Sequence, residues 1–442
     1  MPVPQQRWWR IIPVALIMYT IAYIDRTNVS LALDPKISRM MGDLAMDDER
    51  KGAAMGIFFF GYLILQIPGG YLASRWSAKK FVAALLVVWG ICAVGCGFAM
   101  TFGQFEIMRL LLGVAEGGVF PAVLVLLSHW FPRQERARAN AMWILCMPIS
   151  VAFSAPPTGW LLSHWGWQMM LKLEGALPFL WLPIWLYFIN DHPREARWIS
   201  AGEREHLETT LRREAGDVEP EQHAPFWRAF VHPVALLMMV IYFLHNCATY
   251  GCMTFLTEGL QGSGIAPNGL IYGVLFAVPY VVTCVVMIIT SASSDRKGER
   301  RGHLAAVYLL GGVCLIASVS LAGGAAHPSP LTFWSSYALL CLAVAGPFAA
   351  IAVFWAIPTE TLPKGVMGAV MGLVNAVGNL GGFAGPYVVG FFKQRTGGSV
   401  VISFTILGVG LIAAAVLCAW LPKRVQARSG NLPSSGQDPA SC

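Results

Sequence analysis

Apolar runs of about 20 residues, long enough for a helix to cross ~30 Å of hydrocarbon, recur twelve times along the chain. They fall at 9–30, 52–74, 81–101, 104–127, 137–162, 170–190, 233–257, 268–293, 303–323, 331–357, 365–390 and 400–421. One long polar stretch, DHPREARWISAGEREHLETTLRREAGDVEPEQHAPFWRAF, separates the sixth run from the seventh. The pattern predicts an all-α polytopic membrane protein of two six-helix bundles, residues 1–190 and 233–421, joined by a linker at 191–232. The tail, 422–442, is too polar to bury a core and is expected to be disordered.

Composition agrees with that pattern. Hydrophobic residues make up 56% of the chain and charged ones 12%, about half the charged fraction of a soluble protein. Of the 31 lysines and arginines, 22 lie in the N-terminus, the even-numbered loops and the tail. By the positive-inside rule both termini, the linker and the tail are cytoplasmic, in the inner membrane if the cell is bacterial. No small-residue cleavage site follows the first run, which is read as a retained helix. The ten cysteines are scattered singly, without metal-ligand spacing, as small buried hydrophobes. No HExxH, GxSxG or clustered His and Asp is present, so an enzyme is not expected, nor a metal, a cofactor or a nucleic-acid partner. The chain is read as a monomer in the bilayer.

An internal repeat refines the architecture. GYLASRWSAKK (70–80) follows the second run and SASSDRKGERR (291–301) the eighth, aligned at an offset of 221 with Arg75 over Arg296. The loop form G-x-x-x-D-R-x-G-x-[RK]-[RK] resembles the signature of the major facilitator superfamily of secondary transporters. The second copy has Asp295, Arg296 and Gly298 in place, whereas the first has Ser74 for the aspartate and Ser77 for the glycine. Five further segments, YIDRTNVSLAL, RLLLGVAEGGVFPAVLVLLSHWFPRQERARANAMW, DHPREARWIS, FWAIPTE and GLVNAVGNLGGFAGPYVVG, together resemble the anion:cation symporter family within it. That resemblance implies a twelve-helix carrier of an organic anion, usually coupled to protons, with Arg75, Asp295 and Arg296 in gating loops.

Charges inside the spans mark the candidate site, because an ionisable side chain in mid-membrane costs at least about 2.5 kcal/mol and normally faces a cavity or a partner. At 1.5 Å per residue, Asp25 lies about 24 Å into the first helix and Arg109 about 8 Å into the fourth, entered from the other side. The two reach similar depth, so Asp25 is expected to pair with or lie close to Arg109. Arg26, turned about 100° from Asp25, is then left to face the central cavity, unless it is a structural partner of a carboxylate elsewhere. Glu116 shares a face of the fourth helix with Arg109, two turns away, and its glycine neighbours let helices close around it into a dry site where a carboxyl either takes up and releases a proton or stays neutral as a hydrogen-bonding residue. In the resembled family the matches to Asp25 and Glu116 are protonatable and the match to Arg26 binds the substrate carboxylate.

Further candidates follow from depth. Tyr62, near the midplane of the second helix, either bonds a carboxylate or packs. Asn375 and Asn379 lie one turn apart in the eleventh helix, suited to a ligand or to interhelical hydrogen bonds. Trp355 matches a cavity-lining tryptophan of the family, though an interfacial tryptophan would also fit. Asn246 and Tyr250 share a face of the seventh helix, with His245 as a second, weaker candidate for the proton. Met147 stands where sugar-acid carriers of the family resemble one another in carrying glutamine, and a thioether suits an aromatic or short apolar body better than a polyol. The reading is a proton-coupled importer of an organic carboxylate. A same-fold efflux antiporter, an anion exchanger and a non-transporting nutrient sensor are the alternatives; the glycine-rich fifth-helix run usual in efflux members is replaced by ISVAFSAPPTG.

Overall fold

The computed structural model describes residues 5–132, 135, 139, 142–144, 146–216, 233–257, 269–322, 329–361 and 364–421. The expected tail and the 217–232 part of the linker lie outside the described residues. Each of the twelve apolar runs is helical where described. The helices are α1 Gln6–Ala32, α2 Asp48–Arg75, α3 Ala78–Cys96, α4 Phe102–Trp130, α5 Cys146–Gly175 and α6 Leu177–Phe188 in the first half. The second half holds α7 Pro233–Thr254, α8 Gly269–Lys297, α9 Arg301–Ala322, α10 Pro330–Thr361, α11 Lys364–Arg395 and α12 Val401–Leu417.

Local chemistry sets where several of these begin and turn. Asp47, Ser77 and Thr101 hold extended backbone and accept from the N–H groups of Arg50, Lys80 and Gln104, capping α2, α3 and α4. Inside α5, Gly166 takes φ 75°, ψ 173°, a conformation open to glycine, and the chain reverses there between the fifth and sixth spans.

Among the described residues eight helices are long and apolar enough to cross a membrane, or nine if α2, bent by 42° near Pro68, is counted as one. The fifth and sixth spans count there as one segment, Met142–Phe188, while α1 and α11 fall short. The cause is polarity: α1 carries the run Asp25-Arg26-Thr27-Asn28, and α11 carries Asn375, Asn379 and several glycines. Both helices border the central cavity.

The packing repeats with a shift of six helices. α1 packs on α5, α2 on α4, and α3 on α4 and α6; correspondingly α7 packs on α11, α8 on α10, and α9 on α10 and α12. The halves meet through α2 with α11 and α5 with α8, two contacts that interchange under the same shift. This is the pseudo-symmetric two-bundle arrangement expected from the repeated loop.

Each face of the molecule has its own polar tie. On the face where α1 begins, Arg7 is buried between Glu135 and Glu203, both at 2.6 Å, which fastens the linker helix Ala201–Gly216 to the first half. On the opposite face Lys393 of α11 pairs with Asp48 of α2 at 2.8 Å, and the Tyr387 hydroxyl donates to Glu49 at 3.0 Å. That second tie joins the two halves.

Candidate functional site

A cavity of about 40 Å3 lies between the halves. All seven residues expected to bind substrate, Arg26, Tyr62, Met147, Asn246, Tyr250, Trp355 and Asn375, line it. They come from α1, α2, α5, α7, α10 and α11, so the site exists only where the two halves face each other.

Arg26 is the cation of the cavity wall. It is 4% exposed, and its guanidinium carbon lies 4.8 to 5.7 Å from the rings of Tyr62, Tyr23, Phe58 and Tyr19, close enough for cation–π attraction. Its Nε donates to Oε2 of fully buried Glu116 at 2.8 Å, whereas Nη2 is buried without a hydrogen-bond partner. Arg26 thus both lines the cavity, as expected, and partners a carboxylate, the alternative also left open: Glu116 holds Nε and leaves Nη2 unmatched. The donor fork is rigid, so one edge can pair while the other waits.

The proximity of α2 and α4 makes this contact possible. A Cβ at Gly113 would strike the carbonyl of Phe58, and one at Gly117 that of Tyr62. Glycine at both positions lets the backbones touch, setting Glu116 behind Arg26 and Tyr62 beside it.

Asp25 and Arg109 do come together, but not carboxylate to guanidinium. Arg109 Nη1 donates to the main-chain carbonyl of Asp25 at 3.0 Å, while Asp25 Oδ2 accepts from the Trp89 indole N–H at 2.6 Å. Depth along the helix fixed their level and could not fix which way each side chain turned. Trp89, fully buried in α3, is a partner sequence reading missed.

The opposite wall comes from the second half. Asn246 Nδ2 donates to the Gly378 carbonyl at 3.0 Å, and Asn379 donates to Asn375 Oδ1 at 3.3 Å. The Asn246 amide therefore ties α7 to α11, the Asn375–Asn379 bond stays within α11, and all three side chains line the cavity. Trp355 stands edge-on to Tyr242 with ring centres 5.2 Å apart. His245, also on the wall, meets the Tyr308 hydroxyl at 3.3 Å and stacks on Tyr242.

Tyr19 and Tyr23 also line the cavity and were not singled out from sequence. A signal was present: Tyr19, Tyr23 and Arg26 follow the i, i+4, i+7 spacing of one helix face. Glu174, Asn28 and Thr158 form another buried polar group that was missed.

The expected gating residues lie at the ends of α2 and α8. Arg75 is exposed beside Tyr71, and Arg296 is exposed. Asp295 pairs with Arg300 at 2.5 Å. In the first loop, where Ser74 and Ser77 replace the signature residues, Asp191 from beyond α6 accepts from the Ser77 hydroxyl and, at 2.9 Å, from the Lys79 N–H. In the second loop the Glu299 carboxyl, despite partial burial, is held below its ordinary range by the N–H groups of Gly302 and His303 and the His303 ring. Nothing among the described residues groups three or more metal-binding side chains.

A buried cation with an unmatched edge, set in a cavity between two pseudo-symmetric six-helix halves, is the arrangement of a secondary transporter. The chain belongs to the Major Facilitator Superfamily, whose profile matches residues 15–386. It is 30% identical to a putative tartrate transporter of Agrobacterium vitis, over 96% of this chain and 93% of that protein. It is also 30% identical to a quinolone resistance transporter of Acinetobacter baumannii, over 94% and 95%. Such relatives fit the anion:cation symporter group. Among solved structures, a bacterial homologue of the human lysosomal transporter Spinster, in an inward-facing, unoccupied conformation, superposes with a TM-score of 0.66 at 17% identity, covering 94% of this chain and 95% of that one. The protein is therefore an integral membrane transporter of the organic-anion-carrying kind, and not an enzyme.

Proposed function

We propose that this carrier imports a monocarboxylate with an aromatic or short apolar body together with protons, by alternating access. The observation that carries the proposal is the Arg26 guanidinium in the cavity lining, its Nε held by Glu116 and its buried Nη2 without a hydrogen-bond partner. A substrate carboxylate bound at Arg26 would compete with Glu116 for one cation. Protonating Glu116 removes its charge and releases that edge, so anion and proton favour each other's binding.

The lining supports the substrate class. Arg26 is the one lysine or arginine among the described lining residues, which suits one carboxylate, and Phe120, Met147, Tyr242, Phe348 and Trp355 give a soft aromatic body around it. Asn246, Asn375 and Thr249 offer hydrogen bonds to a polar group at the far end of the ligand, and Tyr250 offers one beside Arg26. Asp25, hydrogen-bonded to Trp89 one residue from the anchor, is a second protonatable group.

The basic loops support a cytoplasmic location for the face where α1 begins, with the carrier in the inner membrane if the cell is bacterial. The Asp48–Lys393 tie then closes the outer side, and the cavity belongs to an inward-facing or occluded carrier acting as a monomer.

The quinolone resistance name of one relative keeps proton-driven efflux as a second reading. One experiment separates them: purified carrier in proteoliposomes, labelled 4-hydroxyphenylacetate or tartrate, and an imposed pH gradient. Accumulation of 4-hydroxyphenylacetate in the alkaline compartment supports symport of the proposed class. Accumulation in the acidic compartment supports antiport, and preference for tartrate overturns the substrate class.

A further inference from the structure

Within its spans the first half buries a third carboxyl that the mechanism above leaves unused. Glu174 lies eight residues beyond the Gly166 turn, about 12 Å from it along a helix, with 7% of its surface exposed. Its Oε2 accepts from Asn28 Nδ2 at 2.8 Å and its Oε1 from the Thr158 hydroxyl at 2.5 Å. Glu174 takes part in none of the ion pairs among the described residues. The Asn28 amide oxygen is itself buried without a partner.

The three buried carboxyls within the spans of this half differ in what their partners can do. Glu116 faces an arginine and Asp25 an indole, and both of these only donate hydrogen bonds. Neither partner can accept the O–H of a protonated acid. Glu174 faces a hydroxyl and an amide, each able to donate or accept. Ionised, it takes the two hydrogen bonds seen; protonated, it can donate to Thr158, or to the free Asn28 oxygen after a turn of that amide. It can therefore hold either charge state without losing both contacts.

Its surroundings also favour exchange. α1 brings Asp25, one turn before Asn28 and within electrostatic range of Glu174. α3 packs directly behind, where a Cβ on Gly175 would strike Ala93, and brings Cys92 and Cys96; α4 brings Arg109, whose hydrogen bond goes to the Asp25 carbonyl. On its own helix Lys172 lies over the Phe98 ring at 3.8 Å. α8 packs on the part of α5 before the turn, at Gly159. Within the spans of this half the buried charged side chains are three acids, Asp25, Glu116 and Glu174, against two bases, Arg26 and Arg109, one negative charge in excess when all are ionised; Arg7, Asp34 and Lys51 are buried beyond the ends of the spans. An incoming monoanion adds a second. Neutrality then calls for two protons; Glu116 supplies a place for one, and Asp25, whose indole partner cannot accept an O–H, is a poorer place for the other than Glu174.

We infer that Glu174 is a second proton-binding site of the carrier, linked through Asn28 to the helix that carries Arg26, so that two protons enter with each monocarboxylate. The role in coupling rests on the symport reading above; the capacity to bind a proton does not.

Two measurements test it. Infrared difference spectra of the purified carrier, recorded without substrate as pH is stepped between about 5 and 9, should show a carboxyl C=O stretch that Glu174→Gln removes and Glu116→Gln retains. Spectra identical in wild type and Glu174→Gln overturn the site. In proteoliposomes, the accumulation ratio of labelled 4-hydroxyphenylacetate against an imposed pH gradient should scale with the square of the proton gradient in wild type and with its first power in Glu174→Gln. Equal powers in the two proteins overturn its coupling role. Wild-type carrier that exchanges anion yet accumulates none under a pH gradient refutes symport instead, and the infrared result still decides Glu174. Retained counterflow in Glu174→Gln confirms that the variant is folded.

Discussion

Tyr23 of α1 and Tyr250 of α7 stand hydroxyl to hydroxyl at 3.4 Å, one from each half, beside the Arg26 guanidinium. The contact bridges the cavity at its charged end, and the Tyr250 ring is backed by Phe59 of α2 at 4.3 Å. A neutral hydrogen bond contributes about 0.5–1.5 kcal/mol, and 1.4 kcal/mol corresponds to about tenfold in affinity. Tyr250→Phe should therefore weaken apparent affinity in counterflow by about 2- to 10-fold while leaving the fold intact. Half-saturation equal to wild type would show that the bridge contributes nothing to binding.

Arg26 should tolerate no replacement. Lysine keeps the charge but is a single point donor, unable to hold Glu116 with one edge and an anion with the other. Arg26→Lys should raise the half-saturation concentration by about tenfold or more, since charge-assisted hydrogen bonds contribute about 1.5–3 kcal/mol. Arg26→Ala should abolish binding, and it also leaves Glu116 buried without its partner. Thermal unfolding of the detergent-solubilised variants, measured beside binding, separates loss of the anchor from loss of fold. A folded Arg26→Ala protein with unchanged affinity removes Arg26 as the anchor.

Met147 is expected to act as a selectivity residue. It lines the cavity with Phe120 and Ile144 and offers no hydrogen-bond donor. Met147→Gln places an amide there, which can serve hydroxyl groups but must itself be satisfied when an apolar body fills the site. Competition against labelled 4-hydroxyphenylacetate should show tartrate gaining and the aromatic acid losing, each by several-fold. An unchanged order of competitors places the selectivity elsewhere.

Hydrophobic period and loop charge made the architecture legible because both are local properties of the chain. The twelve runs follow from hydrophobicity, the repeat at 70–80 and 291–301 from the loop sequence, and the cavity residues Arg26, Tyr62 and Asn375 from depth within a span, whereas Trp355 was marked by the family resemblance. What depth cannot supply is the direction of a side chain about its helix. Arg26 and Asp25 are neighbours, yet one turns toward Glu116 and the other toward Trp89, and a rotation of about 100° decides it. The same limit hid Glu174, which lies in the sequence LKLEGALPF as conspicuously as Asp25 lies in AYIDRTN. Its partners Asn28 and Thr158 are separated from it by 146 and 16 residues, so nothing near it in sequence announced the cluster.

Glu116 and Asp25 should separate cleanly when each is neutralised. Glutamine at 116 keeps the shape of a protonated glutamate and can still meet Arg26 through its amide oxygen, but it releases no proton. Such a carrier resembles the proton-loaded form, so Glu116→Gln should still swap labelled for unlabelled 4-hydroxyphenylacetate across the membrane. Accumulation driven by a pH gradient should be lost or sharply reduced. For Asp25 the hydrogen bonds set a different expectation from charge alone. An asparagine oxygen can still accept the Trp89 indole N–H, and the main-chain carbonyl that receives Arg109 is untouched by the substitution. Asp25→Asn should thus keep its fold and its exchange activity, with any defect confined to the response to pH. Counterflow and gradient-driven uptake in the same proteoliposomes measure both quantities. If Glu116→Gln accumulates anion against a pH gradient as wild type does, Glu116 is a structural partner of Arg26 and the coupling proton sits on another carboxyl. If Asp25→Asn loses exchange altogether, its carboxylate charge is what holds Arg109 in place, and the main-chain contact is insufficient.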